Sequence, residues 1–103
     1  MDISFKMRLE SMIVRVGEFQ AAAGQAEALY QFLLSLAPYI QGSKGCLSYQ
    51  VLRKEGEVNE FAVIERWDSV EHHQLSVKGF PPEQMQAAMP LFGAAPKGTY
   101  YRE

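Results

Sequence analysis

The sequence predicts an α+β domain of order β-α-β-β-α-β, with one antiparallel sheet carrying helices on one face. Three observations predict it. Apolar residues alternate with period 2 over residues 12–19, 46–53 and 60–67. They recur at helical spacing between Ala22 and Ile40. A chain of 103 residues is enough for one such domain and no more.

The first ten residues alternate Met1, Ile3, Phe5, Met7 and Leu9 with polar neighbours, and then the phase slips. A bulge or break is expected near Glu10–Ser11. Residues 1–11 are read as an N-terminal extension or extra strand, and residues 12–103 as the domain. MIVRVGEF at 12–19 leaves little polar face, so a central strand is expected. Ala26, Leu29, Leu33, Leu36 and Ile40 mark a helix over Ala22–Ile40, which Pro38 should kink or end near Ala37. Gly42–Gly45 is a turn. CLSYQVLR at 46–53 places Leu47, Tyr49 and Val51 on one face, and EFAVIERW at 60–67 returns beside it as a hairpin. Asp68 or Ser69 caps a short helix reaching about Val77. A further helix carries Met85, Ala88, Met89 and Phe92 on one face, with Pro90 near its end, and Thr99–Arg102 forms the last strand. This is the split β-α-β, or ferredoxin-like, arrangement. One sheet face remains bare, and the chain is 48% hydrophobic with twelve aromatic residues. A homodimer covering that face is expected.

Composition excludes several classes. Lys and Arg number 10 against 12 Asp and Glu, without the basic excess of a nucleic-acid binder. No apolar run approaches the roughly 20 residues of a membrane span, and the N-terminus lacks a signal peptide's continuous apolar stretch. The single cysteine, Cys46, allows no internal disulfide, so a cytoplasmic address is expected. There is no Gly-x-Gly-x-x-Gly, no P-loop and no Cys-x-x-Cys, so no cofactor and no metal are expected.

Strand parity puts Phe61, Val63, Glu65 and Trp67 on one face. The indole of Trp67 can wall an aromatic ligand or pack under the helix. Glu65, if buried, needs a partner or takes up a proton, as a general base does, or else forms a structural ion pair. His72 and His73 point about 100° apart on a helix and cannot chelate one metal side by side. Val70, His73 and Val77 share one stripe, so His73 is expected to face inward; His72 joins Ser69 and Ser76 facing outward. An inward His73 can deprotonate or orient a phenol, or be satisfied by backbone or carboxylate. Tyr49 can position a ligand oxygen or pack. Tyr100 and Tyr101 point to opposite faces of the last strand, so only one is inside.

Residues 44–80 resemble the antibiotic biosynthesis monooxygenase domain family of dimeric α+β barrels. The resemblance rests on KGCLSYQVLR, on FAVIERW with its Glu65-Arg66-Trp67, and on WDSVEHHQLS, in that order. A weaker likeness extends over about residues 12–102. The asparagine that haem-degrading relatives carry in the first strand has no counterpart in 12–19. Their downstream histidine has none in PPEQMQAAMP, so haem degradation is not implied.

The resemblance implies a cofactor-independent monooxygenase of an aromatic polyketide, quinol or similar electron-rich phenol. In such chemistry a base deprotonates the substrate and the anion reduces dioxygen. Recombination gives a peroxide, which loses water to leave a quinone or hydroxylated product. The roles implied are His73 and Glu65 in catalysis, and Trp67, Tyr49, Phe61 and Val63 as substrate-binding walls. Two alternatives stand beside this: a non-catalytic dimeric binder of a small hydrophobic metabolite, and an isomerase of a small phosphorylated ketose. The isomerase needs cations in the pocket, and parity turns Arg66 away from Trp67.

Overall fold

The computed structural model describes residues 12–103. The strand arm and bulge expected before residue 12 lie outside the described residues. Strands β1 (Ile13–Gln20), β2 (Cys46–Arg53), β3 (Glu60–Trp67) and β4 (Lys97–Arg102) form one sheet in the order β2-β3-β1-β4. Every neighbouring pair is antiparallel. This is the expected ferredoxin-like α+β fold, with β1 central.

Between β1 and β2 the expected single helix is two. Ala22 and Ala23 stay in a turn that Gly24 makes with φ +76°, a left-handed conformation that favours glycine. Helix α1 runs Ala26–Ser35 and α2 Ala37–Gln41. Pro38 has no N–H to continue the first ladder, and its place in the first turn of α2 costs no hydrogen bond. Leu33 O, near the end of α1, accepts from Tyr49 Oη at 2.6 Å, which ties α1 to β2. Leu29 and Leu33 are 0% and 1% exposed and pack with Ala21, Phe61 and Val63 into the core.

Strand β2 departs from simple alternation. Cys46 pairs with Trp67 but Ser48 pairs with Arg66, so Leu47 is the extra residue of a bulge. Leu47, expected beside Tyr49 and Val51, is 53% exposed for that reason. Gly45, just before, has φ +87°, and any Cβ there would collide with Asp68 and His72. Its carbonyl accepts from Asp68 N at 2.9 Å, locking the start of β2 to the end of β3.

Helix α3 (Val70–Gly79) starts at Ser69, whose Oγ accepts from His72 N at 3.2 Å. Helix α4 (Pro82–Ala88) gives way to a single 3₁₀ turn, Met89–Leu91, at Pro90. The change of period breaks the expected stripe: Ala88 is buried while Met89 is 60% exposed. Ala22 N donates to Leu91 O and Gly93 N to Gln20 O, both at 2.8 Å, so this segment closes over the end of β1.

Helices cover the face that carries Phe19, Phe61, Val63, Tyr49 and Val51. The opposite face, with Val14, Val16, Ala62, Ile64, Leu52 and Tyr101, has no helix on it, and Tyr101 is 55% exposed. Among the described residues no helix is long and apolar enough to cross a membrane.

Truncating a side chain under α1 removes buried contacts and leaves a cavity. Leu33→Ala should therefore cost about 2–5 kcal/mol in urea unfolding, and exposed Leu75→Ala no more than about 0.5 kcal/mol.

Candidate functional site

A cavity of about 380 Å³ opens between the sheet and the helices α2, α3 and α4. Leu36, Ile40, Phe80 and Met85 make its walls apolar, and Glu65, His73 and Ser76 supply polar groups. The break between α1 and α2 turns Leu36, Tyr39 and Ile40 toward it. Tyr39 Oη donates to Ser76 O at 2.6 Å, and a side chain at Gly79 would strike that hydroxyl. Ser43 Oγ donates to Tyr39 O at 2.9 Å and so accepts from Ser76 Oγ at 2.8 Å. These hydroxyls are thus consumed within the wall. A second hollow, of about 400 Å³, lies at the other end of the sheet by Arg53 and Lys54. Arg53 and Lys54 there are paired with Glu27 and Glu60, and Lys97 also borders it.

The floor beside the first cavity is a row of four cross-strand neighbours: Tyr49 opposite Glu65, Glu65 opposite Arg15, and Arg15 opposite Tyr100. All four face the helices. The indole N–H of Trp67 donates to Glu65 Oε1 at 3.0 Å. His73 packs edge-on against Trp67 and Tyr100, with ring centroids 5.4 and 5.3 Å away. Its Nδ1 lies 2.6 Å from Tyr100 Oη. The Arg15 guanidinium sits 4.9 Å from the centre of the Tyr100 ring, in space that exists because residue 98 is glycine.

Electrostatics follow from burial. Burial raises the pKa of Glu65, while the Trp67 N–H and the Arg15 charge oppose the rise. Burial and then Arg15 lower His73 to about 4, so its imidazole is neutral at pH 7. Burial and then Glu65 push the Tyr49 phenol up, and the same two causes raise the Cys46 thiol, which is not held as a thiolate nucleophile.

Of the residues expected to form the site, Glu65 and His73 line the cavity. Trp67 is 0% exposed and stands behind them as their support. Tyr49 is spent on the α1 carbonyl. Phe61 and Val63, expected as ligand walls, are 4% and 2% exposed and pack in the core beneath α1. Their parity is as expected; neither lines this cavity, and Phe61 borders the second hollow.

His73 is inward, 7% exposed, and His72 does not line the cavity; its Nδ1–H donates to Asp68 Oδ1 at 2.6 Å. The stripe around His73 differs from expectation: Ser76 is buried at 9% and Val77 is 60% exposed. A stripe three to four residues wide fits either neighbour, and the packing of Tyr39 selects Ser76. Arg15 and Tyr100 complete the polar row unforeseen. The apolar even positions 12, 14 and 16 point to the bare face, and the odd face of β1 carries Arg15 inward. Its signal was a lone cation in the apolar first half of the strand, Ile13–Val16. Among the described residues no group of three or more His, Cys, Asp or Glu side chains could hold a metal.

The depressed pKa of His73 has a linkage consequence. Between pH 6.5, its ordinary value, and about 4, the unfolded chain binds a proton that the folded chain refuses. Stability should therefore fall as pH drops through that window, and His73→Gln should flatten the fall. Urea midpoints measured from pH 7 to 4 check this, and a slope equal in the two proteins would contradict it.

The antibiotic biosynthesis monooxygenase family profile matches residues 12–90. No curated protein sequence matches the chain. Solved structures with the same fold include a conserved protein from Methanosarcina mazei, 14% identical with TM-score 0.82, over 95% of this chain and 98% of that one. A Pseudomonas aeruginosa protein is 19% identical with TM-score 0.78, over 92% and 96%. A variant of SnoaB from Streptomyces nogalater, described as a cofactor-independent oxygenase, is 14% identical with TM-score 0.74, over 90% and 93%. Split β-α-β topology, the Glu65–Trp67 strand end and the match across most of the domain agree, and the chain belongs to the antibiotic biosynthesis monooxygenase family.

Proposed function

We propose that this chain is a cofactor-independent monooxygenase of an electron-rich phenol, such as a quinol or an aromatic polyketide. The observation that carries the reading is the cavity itself: apolar walls, with Glu65 and His73, both in contact with Trp67, among its polar groups. Family membership and the described activity of SnoaB support it by analogy.

The chemistry asks little of the protein. One of the two polar groups takes the phenol proton and the other holds the ring oxygen. The phenolate passes one electron to dioxygen. The two radicals then combine to form a carbon–oxygen bond. Loss of the ring hydrogen and cleavage of the O–O bond release water. One oxygen atom of dioxygen stays in the product quinone and the other leaves as water, and the substrate supplies every electron. Apolar walls favour this by orienting a flat ring and excluding bulk water.

The protein acts as a homodimer in this reading, with the bare face of the sheet covered by a second copy. The support is the run of Val14, Val16, Ala62 and Ile64 on a face without helices. Interfaces of that kind bury on the order of 2,000 Å² or more. The free thiol of Cys46 suits a reducing cytoplasm.

Two measurements check the proposal. Sedimentation at micromolar concentration should give about twice the 11.6 kDa chain mass, and a monomer would refute the assembly. In an oxygen electrode, at least one of a panel of hydroquinones and polycyclic phenols should consume one dioxygen per substrate. His73→Ala should slow that reaction by roughly 10²-fold or more, with His72→Ala near the parent rate. A panel that binds without oxygen uptake would favour the non-catalytic binder.

A further inference from the structure

The hydrogen bond between His73 and Tyr100 has a direction, and the direction decides what His73 offers a ligand. A neutral imidazole carries one hydrogen, on Nδ1 or on Nε2. If Nδ1 donated to the tyrosine oxygen, the phenol hydrogen would need another acceptor. Tyr100 has no other hydrogen bond among the described residues, and the group over its ring is Arg15, which has donors only. The hydrogen would then be left without a protein acceptor in a half-buried place. If Tyr100 donates, the phenol hydrogen is met, and the ring hydrogen sits on Nε2, on a ring that lines the cavity. The Arg15 charge over the ring face also draws electron density from the phenol oxygen and strengthens its O–H as a donor.

We propose that Tyr100 is a positioning residue: its hydroxyl donates to Nδ1 of His73 and fixes the Nε2–H tautomer, so that His73 meets a cavity ligand as a hydrogen-bond donor. Nε2 has no partner among the described residues, and the ring lines the cavity. A donor there stabilises a ring oxygen as it becomes negative. Proton removal then falls to Glu65, on the same cavity and held through Oε1 by Trp67. Arg15 acts one step further back, by placing its charge over Tyr100, and Gly98 acts by leaving room for it. The roles in catalysis rest on the reading of the cavity as a phenol site; the tautomer does not.

The test is a long-range proton–nitrogen correlation spectrum of the full chain with ¹⁵N-labelled histidine, at neutral pH, with His72→Gln used to assign the two rings. The expected result is a hydrogen on Nε2 and a bare, accepting Nδ1 in His73. In Tyr100→Phe the preference should collapse toward a mixture of the two tautomers. With any substrate that turns over, the same variant should lose on the order of 10-fold or more in kcat while KM stays within about twofold. A hydrogen on Nδ1 in the parent protein overturns the assignment, and so does an unchanged tautomer or an unchanged kcat in Tyr100→Phe. The parent spectrum decides the tautomer even if the variant fails to fold. A confirmed tautomer in a protein that oxidises no phenol would leave this assignment standing and remove the monooxygenase reading instead.

Discussion

An arginine points into this fold from the middle of its central strand, and the arrangement of one end of the molecule depends on it. Arg15 lies between Glu65 on β3 and Tyr100 on β4, on the face that the helices cover. A charge partly withdrawn from water is stabilised by a nearby opposite charge or by polarisable groups. Here Glu65 provides the opposite charge and the Tyr100 ring the polarisable surface. The consequences spread along the row. Gly98 is needed because the guanidinium occupies the place of its side chain. Glu65 is braced by the Trp67 indole, and His73 stays uncharged because it is buried near a cation.

The core is accordingly divided along the strands. At one end Leu29, Leu33, Phe61 and Val63 pack without polar atoms, and this end supplies stability. At the other end the same strand faces carry Glu65, Arg15, Tyr49 and Tyr100. The helix above breaks at Leu36, so the cover is incomplete and a cavity remains. A proline in the helix and a polar row beneath it are two departures from good packing, and they occur where the cavity opens. Local rules of helix and core are relaxed together at the place suited to a ligand.

Most elements were legible in the residues. Strands β2 and β3 have the bounds that their alternation indicates, and Ser69 caps α3 as its position before the helix suggests. His73 turns inward as expected, but of the neighbours read with it Val77 is exposed and Ser76 buried, because sequence separation gives angles between residues and not which side is packed. The family followed from three short segments whose order carries the information. The bulge at Leu47 was hidden because one extra residue in a strand has no compositional mark here; only the partner strand shows the slipped register.

The sequence by itself determined the order of strands and helices, the single domain and the candidacy of Glu65, Trp67 and His73. Periodicity and capping are properties of residues near each other in the chain. Tertiary structure alone decided which face of β1 is inside, and with it that the half-buried Arg15 points under the helices. That choice is made across strands, where Glu65 and Tyr100 arrive from 50 and 85 residues away. It also decided that Phe61 and Val63 serve the core, because α1 covers them, and that Tyr100 rather than Tyr101 meets His73. A strand's own pattern gives two faces but does not say what each will touch. That is set by the neighbouring elements that pack on it, and here those neighbours are distant in the chain.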